Sequence, residues 1–277
     1  MPAQHDPSGQ KHTHLGRTEG VHVPDLDDVE LCIALIHSAK TPDEAFNYFC
    51  KIVADSGYDR VVYSLLTDHP SLGLPKLHGL ASSYPEDWMK YYLEKEYLRI
   101  DPVVQEVLKL GRPCFWNDIL AGTDLSEDAK RLIHEGADAG LRSGISFPMV
   151  SLAGEIAGFA IARSDPGPAK NDYDLMARLY LLGTFFHETY RTMYQQQKHV
   201  EMPGLTAREH DVLLWAAEGK TDQEIAIILG ITFHTVRFHW RQIFRKLNVN
   251  GRSYAITKAI RLGLVTPEIV RTPYQKW

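Results

Sequence analysis

The sequence predicts an α+β protein with an N-terminal α/β/α sandwich and a C-terminal bundle of four helices that contains a helix-turn-helix. Helix and strand patterns alternate through residues 1–200, whereas residues 201–277 contain only short helices with clear capping residues. The charge also changes sign: residues 1–200 have 19 basic and 28 acidic side chains, and residues 201–277 have 11 and 7. A chain of 277 residues is long for one domain, so we expect two.

The N-terminal region alternates helical periodicity with short β-branched and aromatic runs. The predicted helices are 25–39, 42–54, 85–95, 102–109, 126–139 and 171–197. The predicted strands are 60–66, 76–81, 113–116, 144–150 and 156–163. The second helix begins with a capping box, Thr41-x-x-Glu44. This order predicts an antiparallel sheet with helices on both faces.

The two predicted domains are 24–197 and 205–277, joined by a linker at 198–204 that ends in Pro203-Gly204. Residues 1–23 are polar and are expected to form a disordered tail. A metal-binding role is the alternative for the tail histidines His5, His12, His14 and His22, but we predict no metal site.

The composition favours a cytoplasmic protein. The chain has no hydrophobic leader at its start, and no stretch approaches the ~18 apolar residues of a membrane span. Cys32, Cys50 and Cys114 form no Cys-x-x-Cys pair and lie among apolar residues, as expected for free thiols in a reducing compartment.

Capping patterns define the C-terminal helices. Thr206 precedes Glu209 by three residues and Thr221 precedes Glu224 by three, which is the capping-box spacing, and Gly219 follows the first of these helices. The predicted helices are 207–218, 222–229, 233–247 and 254–262. In the third, Val236, Trp240, Ile243 and Leu247 form an apolar stripe.

The opposite face of that third helix is basic and carries His234, Arg237, Arg241, Arg245 and Lys246. Residues 231–262 contain seven Arg and Lys and no Asp or Glu, which favours binding to a polyanion over an ordinary solvated face. Two helices with a tight turn, the second of them basic, are typical of a helix-turn-helix that reads the DNA major groove. Arg237 and Arg241 lie four residues apart, so both can bind guanine edges or phosphates, and these alternatives remain open.

The whole segment resembles the LuxR-type DNA-binding domain. The resemblance rests on Leu205-Thr206-x-Arg208-Glu209, Gly219-Lys220-Thr221, Glu224-Ile225-Ala226, Thr235-Val236-x-Phe238-His239 and Lys246-Leu247-x-Val249. The usual signature positions of that family correspond to Glu209, Leu213 and Gly219. The resemblance implies DNA contacts from Arg237 and Arg241, and the full set of candidate DNA-binding residues is Arg237, Arg241, His234, Thr235, Arg245 and Lys220.

In the N-terminal domain, the stretch from Tyr84 to Trp116 concentrates polar aromatic residues around Asp101. Taken singly, Trp88 and Trp116 are typical core residues, and Asp101 before Pro102 is a typical helix cap. Together, an indole N–H, a phenol O–H and a carboxylate offer two donors and one acceptor. That set complements a small molecule with two carbonyls and one N–H.

This stretch resembles the autoinducer-binding domain of quorum-sensing regulators, whose ligand is an acyl-homoserine lactone. The resemblance implies that Trp88 donates to the lactone carbonyl, Asp101 accepts from the amide N–H and Tyr92 donates to the acyl carbonyl. It also implies that Trp116 packs over the lactone ring and that Pro102, Gly144, Ser146 and Tyr84 are supporting positions of the pocket. The candidate ligand-binding residues are thus Trp88, Asp101, Tyr92, Tyr84, Trp116 and Ser146.

Three positions depart from relatives that recognise a 3-oxo acyl group. Met89, Val103 and Ala160 stand where such relatives carry arginine or hydroxyl residues, which favours an unsubstituted or aromatic acyl chain.

The two resemblances imply a cytoplasmic, ligand-responsive transcription factor that binds a two-fold symmetric operator in double-stranded DNA as a homodimer. RNA polymerase is a further candidate partner, and no cofactor is expected beyond the small-molecule effector. We expect ligand binding to stabilise the sandwich and to promote dimerisation through the helices at 171–197 and 254–262. Whether the ligand promotes or releases DNA binding remains open.

Three other functional classes are alternatives. A phosphorylation-gated response regulator needs an acidic pair after a strand, whereas Asp27-Asp28 precedes a helix. An enzyme is disfavoured because the sequence has no Gly-rich phosphate loop, no Gly-x-Ser-x-Gly and no His-Glu-x-x-His. A ligand-independent DNA-binding regulator is disfavoured because Trp88, Tyr92 and Asp101 are all present.

Overall fold

The computed structural model describes residues 22–69, 72–122, 124–151, 154–165, 172–198 and 203–267. The predicted N-terminal tail up to residue 21 and linker residues 199–202 lie outside the described residues. The described elements form two compact units, the larger running from the first helix to residue 198 and the smaller holding the helices after residue 203.

The larger unit is built on a five-stranded antiparallel sheet. Its strands are β1 (Arg60–Leu65), β2 (Leu77–Ser82), β3 (Cys114–Phe115), β4 (Ser143–Val150) and β5 (Ile156–Arg163). They lie in the order β2-β1-β5-β4-β3, and every pair is antiparallel. The antiparallel sheet with helices on both faces is therefore confirmed.

One face of the sheet packs against α1 (Val29–Ser38), α2 (Pro42–Ala54) and α7 (Tyr173–Lys198). Aromatic rings fill this layer: Phe159 of β5 lies 4.9 Å from Phe49 of α2 and 5.3 Å from Phe186 of α7, centroid to centroid. Side chains alternate between the faces of a strand, so the residues between these aromatic positions point to the other side.

The second face is covered by shorter elements. These are α3 (Glu86–Glu94), a 3-10 helix (Tyr97–Arg99), α4 (Pro102–Leu110), α5 (Trp116–Gly122) and α6 (Glu127–Asp138). Val62 and Ala162 of the sheet share a buried cluster with Trp88, Tyr92 and Leu132 from these helices.

Several element boundaries differ from the prediction. The first helix begins at Val29 instead of residue 25, because Asp28 is the residue that caps it by accepting from the Leu31 N–H. The strand expected at 113–116 is reduced to two residues, and Trp116 begins α5. The Tyr97–Arg99 helix and α5 were not predicted; each is too short for a periodic apolar pattern to mark it.

The smaller unit comprises α8 (Ala207–Ala217), α9 (Asp222–Leu229), α10 (Phe233–Leu247) and α11 (Arg252–Arg261). Both predicted capping boxes are present, and Gly230 ends α9 with φ of +65°, a left-handed conformation that favours glycine. The predicted apolar stripe of α10 is buried in the core of this unit. The last helix starts at Arg252, two residues before the predicted start.

No helix among the described residues is both long and apolar enough to span a bilayer. Within the same residues, no group of three or more His, Cys, Asp or Glu side chains is arranged to hold a metal ion.

We expect His187 of α7 to make the larger unit less stable in acid. Its Nδ1 lies 2.7 Å from the hydroxyl of Tyr63, and burial, assisted by nearby Arg191, lowers its pKa to about 4. An unfolded histidine has a pKa of about 6.5, so between these two values the unfolded chain binds a proton that the folded protein does not. Stability should therefore fall as pH drops through this window, by up to about 1.4 kcal/mol per pH unit from this residue.

We expect His187→Phe to flatten the decline in unfolding free energy between about pH 6.5 and pH 4, measured by urea unfolding at a series of pH values. His134→Gln, which removes an exposed histidine of α6, is the control and should keep the wild-type slope. An identical slope in His187→Phe and wild type would contradict the assignment.

Candidate functional site

A cavity lies inside the larger unit, between the sheet and helices α3 to α6. The space not occupied by atoms, including the part open to solvent, is about 870 Å³. Its wall is mainly apolar and includes Val62, Leu66, Val104, Val107 and Leu132. All six candidate ligand-binding residues line it: Trp88, Asp101, Tyr92, Tyr84, Trp116 and Ser146. The fold thus brings together residues that are up to 62 positions apart in the sequence.

Asp101 is the one carboxylate on this wall. It caps α4: its Oδ1 accepts from the backbone N–H groups of Val103 at 2.8 Å and Val104 at 3.2 Å. Its Oδ2 accepts from the Tyr92 hydroxyl at 2.8 Å. Burial raises the pKa of Asp101, and these three hydrogen bonds only partly oppose that effect. These hydrogen bonds therefore do not fully compensate the ionised carboxylate for its burial.

Three aromatic side chains present polar hydrogens around Asp101. Trp88 is buried, and its indole N–H makes no hydrogen bond to any residue that the structure describes. Tyr84 donates to the backbone carbonyl of Ala160 at 3.2 Å, and Tyr92 donates to Asp101. Burial raises the pKa of both tyrosines well above the ordinary tyrosine value, and the charge of Asp101 raises it further. Both phenols therefore stay protonated and remain donors at neutral pH.

Trp116 lies flat over β4. Its Nε1 donates to Ser146 Oγ at 2.8 Å. A Cβ atom on Gly144 would approach Trp116 Cε2 to 2.6 Å and the Ile161 carbonyl oxygen to 2.6 Å, so only glycine leaves room for the ring. Gly144 and Ser146 together fix the position of the indole.

Of the three positions expected to indicate whether the acyl chain is substituted, Met89, Val103 and Ala160, only two line the cavity. Val103 and Ala160 line it, but Met89 does not: its methyl group packs against Gly79 of β2, away from the cavity wall. Ser64 and His78 do line the cavity and were missed. Ser64 lies two residues after Val62 on the same strand, so strand alternation was the signal that could have identified it.

The smaller unit presents a basic helix face on α10. His234, Arg237, Arg241 and Arg245 are exposed there, whereas Thr235 and Lys220 are half-buried. Thr235 also contributes to the helix start, because its backbone N–H donates to Thr232 Oγ1 at 3.1 Å. The exposed arginines are thus free to contact an external polyanion.

Two of the seven cations counted in the sequence serve the fold. Lys246 was expected on the basic face, but its Nζ lies 2.6 Å from Glu209 Oε2 and 2.9 Å from the Gly204 carbonyl. Arg252 bonds to Asp222, which also accepts from the Trp240 indole at 2.9 Å. Burial alone would raise the pKa of Glu209, but the bonds from Lys246 and Thr206 lower it below its ordinary value. These contacts fasten α10 to α8, α9 and α11.

Phe238 is a further exposed residue on α10 that the sequence reasoning did not select. It is 48% exposed, and the Arg241 guanidinium lies 6.0 Å from its ring centroid. Its position in the sequence between Arg237 and Arg241 places an apolar side chain on the same part of the helix surface as these two cations.

Comparisons with known proteins match both units of the chain. The model of the autoinducer binding domain matches residues 41–190, and the model of bacterial regulatory proteins of the luxR family matches residues 203–259. The chain belongs to the LuxR family of quorum-sensing transcriptional regulators. In this family the smaller unit is the DNA-binding domain, and the larger unit binds a small-molecule effector.

LuxR-family relatives cover most of the chain. A putative HTH-type transcriptional regulator of Sinorhizobium fredii, y4qH, is 33% identical over 80% of this chain. The match covers 65% of the length of that protein. The HTH-type quorum sensing-dependent transcriptional regulator RpaR of Rhodopseudomonas palustris is 32% identical over 78% of this chain and 86% of its own. The crystal structure of Escherichia coli SdiA matches with a TM-score of 0.69 at 24% identity, over 85% of this chain and 97% of that chain, which establishes a shared fold.

Proposed function

We propose that this LuxR-family protein binds an acyl-homoserine lactone, or a closely related aroyl lactone, in its cavity and controls transcription as a DNA-binding homodimer in the cytoplasm. The observation that carries the proposal is Asp101: a half-buried carboxylate on the wall of a mainly apolar cavity, whose pKa burial raises although it accepts three hydrogen bonds. A ligand amide N–H would supply the missing donor, and a lactone ring and acyl chain would cover the apolar wall.

The hydrogen-bond geometry supports a role for each donor. We assign the Trp88 indole N–H to the lactone carbonyl, because it makes no hydrogen bond to a described residue. The Tyr92 hydroxyl has one proton and already donates it to Asp101, so we assign Tyr92 to orienting that carboxylate. Tyr84, with a longer 3.2 Å bond to Ala160, is then the phenol best able to turn to the acyl carbonyl. Trp116, held by Ser146, would pack over the ring.

Ligand binding would act through stability. A ligand that binds only the folded sandwich at 100 times its Kd contributes about 2.7 kcal/mol of stabilisation. Such a gain would favour dimerisation of the sensor. Large apolar side chains left exposed on α7 and α11, Leu181 and Tyr254, are candidate dimer contacts.

The DNA-binding proposal rests on the exposed arginines of α10. We assign Arg237 and Arg241 to the major groove and Phe238, between them, to apolar contact with thymine methyl groups. His234, Thr235, Arg245 and Lys220 remain candidates for phosphate contacts. A homodimer would present two such helices to a two-fold symmetric operator.

Thermal unfolding of the purified protein across a panel of acyl- and aroyl-homoserine lactones tests the proposal. We expect the melting temperature of the larger unit to rise by several degrees with at least one lactone and to stay unchanged with its ring-opened form or with solvent alone. If no lactone raises the midpoint of folded, DNA-binding protein, the lactone assignment is wrong and the cavity serves another ligand.

A further inference from the structure

The cavity has a second polar position, formed by Ser64 of β1 and His78 of β2. Ser64 Oγ lies 3.0 Å from His78 Nδ1, and it also accepts from the backbone N–H of Gly79 at 3.0 Å. Both side chains are buried and both line the cavity. The His78 ring stacks on Tyr92, with centroids 4.6 Å apart and planes at 22°.

The sheet register locates this pair relative to the lactone position. Ala160 is paired with Ser146 on one side and with Val62 on the other, and these residues form one row across the cavity face of the sheet. Ser64 is paired with Gly158, which lies in the next row on that face, about 7 Å further along the strands. Gly144, under Trp116, lies one row in the opposite direction. The pair is therefore at the end of the cavity face remote from Trp116.

The hydrogen-bonding capacity of the pair is not exhausted by its internal bonds. Burial lowers the pKa of His78 to about 4, so the ring is neutral near pH 7. If Ser64 donates to Nδ1, the histidine proton is on Nε2 and is an unused donor; if Nδ1 donates to Ser64, the serine proton is unused and Nε2 is an acceptor. Nε2 makes no hydrogen bond to any described residue. In both tautomers the pair offers one donor and one acceptor.

A hydroxyl group complements this donor and acceptor, since it donates one hydrogen bond and accepts others. An alkyl chain without polar groups would leave the donor and the acceptor of this pair without hydrogen-bond partners, which costs free energy. An oxo group would use the donor alone. Apolar residues that also line the cavity include Val62, two residues before Ser64, and Leu66, two residues after it.

We propose that Ser64 and His78 form a subsite for a hydroxyl group, alcoholic or phenolic, carried by the acyl part of the ligand. The inference rests on the lactone function proposed above and narrows it to a hydroxylated acyl or aroyl group. It adds two specificity-determining residues, at the end of the cavity face remote from Trp116.

Matched ligand pairs test the subsite. Binding constants are measured by titration calorimetry for hexanoyl- against 6-hydroxyhexanoyl-homoserine lactone, and for 3-phenylpropanoyl- against 3-(4-hydroxyphenyl)propanoyl-homoserine lactone. We expect wild-type protein to bind the hydroxylated member of at least one pair about five- to tenfold more tightly, the scale of one buried neutral hydrogen bond.

Ser64→Ala and His78→Phe should each reduce that preference to about onefold and leave affinity for the unhydroxylated member within about threefold. His78→Phe keeps a ring against Tyr92 and leaves the bond from Gly79 to Ser64 intact, so the two variants perturb the fold differently. Ser143→Ala is the control, because Ser143 is a buried serine of the same sheet that does not line the cavity.

Retention of the preference in both variants, or no preference in wild-type protein that binds the unhydroxylated lactones, overturns the subsite and leaves the lactone function standing. Absence of binding by all four lactones overturns the lactone function and the subsite with it. Loss of the preference in Ser64→Ala alone supports the subsite even if His78→Phe fails to fold.

Discussion

The double variant Arg237→Ala/Arg241→Ala is expected to lose at least about 30-fold in affinity for operator DNA at physiological salt. Both guanidinium groups are exposed on one face of α10, on the side opposite the buried stripe that holds the helix in the domain. A bidentate contact to guanine contributes about 1–3 kcal/mol of discrimination, so two lost contacts account for this factor. Binding is measured by fluorescence anisotropy on duplexes selected with the wild-type protein.

The same experiment separates base contacts from phosphate contacts. If the arginines bind phosphates, affinity falls for all sequences alike, and the slope of log K against log salt decreases by about 0.9 per contact. If they bind guanine, discrimination between the selected duplex and a scrambled one collapses. Both outcomes agree with an interface on α10.

Arg208→Gln provides the control for the loss of positive charge. Arg208 is on α8 of the same domain and forms an exposed ion pair with Asp211, 3.7 Å away, so its removal should change stability by less than about 0.5 kcal/mol. Unchanged DNA binding by the double Arg variant, with wild-type melting of its DNA-binding domain, would exclude α10 as the recognition helix.

The DNA-binding domain was the part most completely predictable from sequence. Its caps are local: Thr206 and Glu209, or Thr221 and Glu224, are three residues apart and form their hydrogen bonds within one turn. The pairing of Lys246 with Glu209 spans 37 positions, and no periodicity indicates it. The prediction therefore located the helices correctly and assigned one structural lysine to the basic face.

The cavity shows the same division between local and long-range information. Asp101 before Pro102 marked both a helix cap and a binding position, and Asp101 serves as the cap of α4. The bond from Tyr92 to Asp101 and the pair formed by Ser64 and His78 depend on how separate elements meet. Pattern alone could name residues of the site, but the distribution of donors and acceptors within it required the fold.

Asp101→Asn is the variant expected to have the largest effect on ligand response. The amide oxygen of asparagine can keep the cap on Val103 and Val104, and the Tyr92 oxygen can accept from the new amide group. The ligand N–H, in contrast, loses a charged acceptor. A hydrogen bond to a charged group contributes about 1.5–3 kcal/mol, so lactone affinity should fall about 10- to 150-fold.

The unliganded variant should show the opposite trend. Burial raises the pKa of Asp101, which means that the folded state disfavours the ionised carboxylate relative to the unfolded chain. At neutral pH the neutral asparagine removes that cost, so the melting temperature without ligand should equal or exceed that of wild type. A variant that is as stable as wild type and yet unresponsive assigns Asp101 to the ligand, since a purely structural role leaves the lactone response unchanged.

Thermal unfolding with increasing lactone, for wild type, Asp101→Asn and Asp128→Asn, measures both effects together. Asp128 is an exposed residue of α6 whose carboxylate pairs with Arg131 at 3.0 Å, so it undergoes the same chemical change outside the cavity and should keep the wild-type dose curve. An Asp101→Asn dose curve that superimposes on the wild-type curve would show that the carboxylate caps α4 and does not bind the ligand. The amide N–H would then require another acceptor, and Asp101 is the only carboxylate among the residues that line the described cavity.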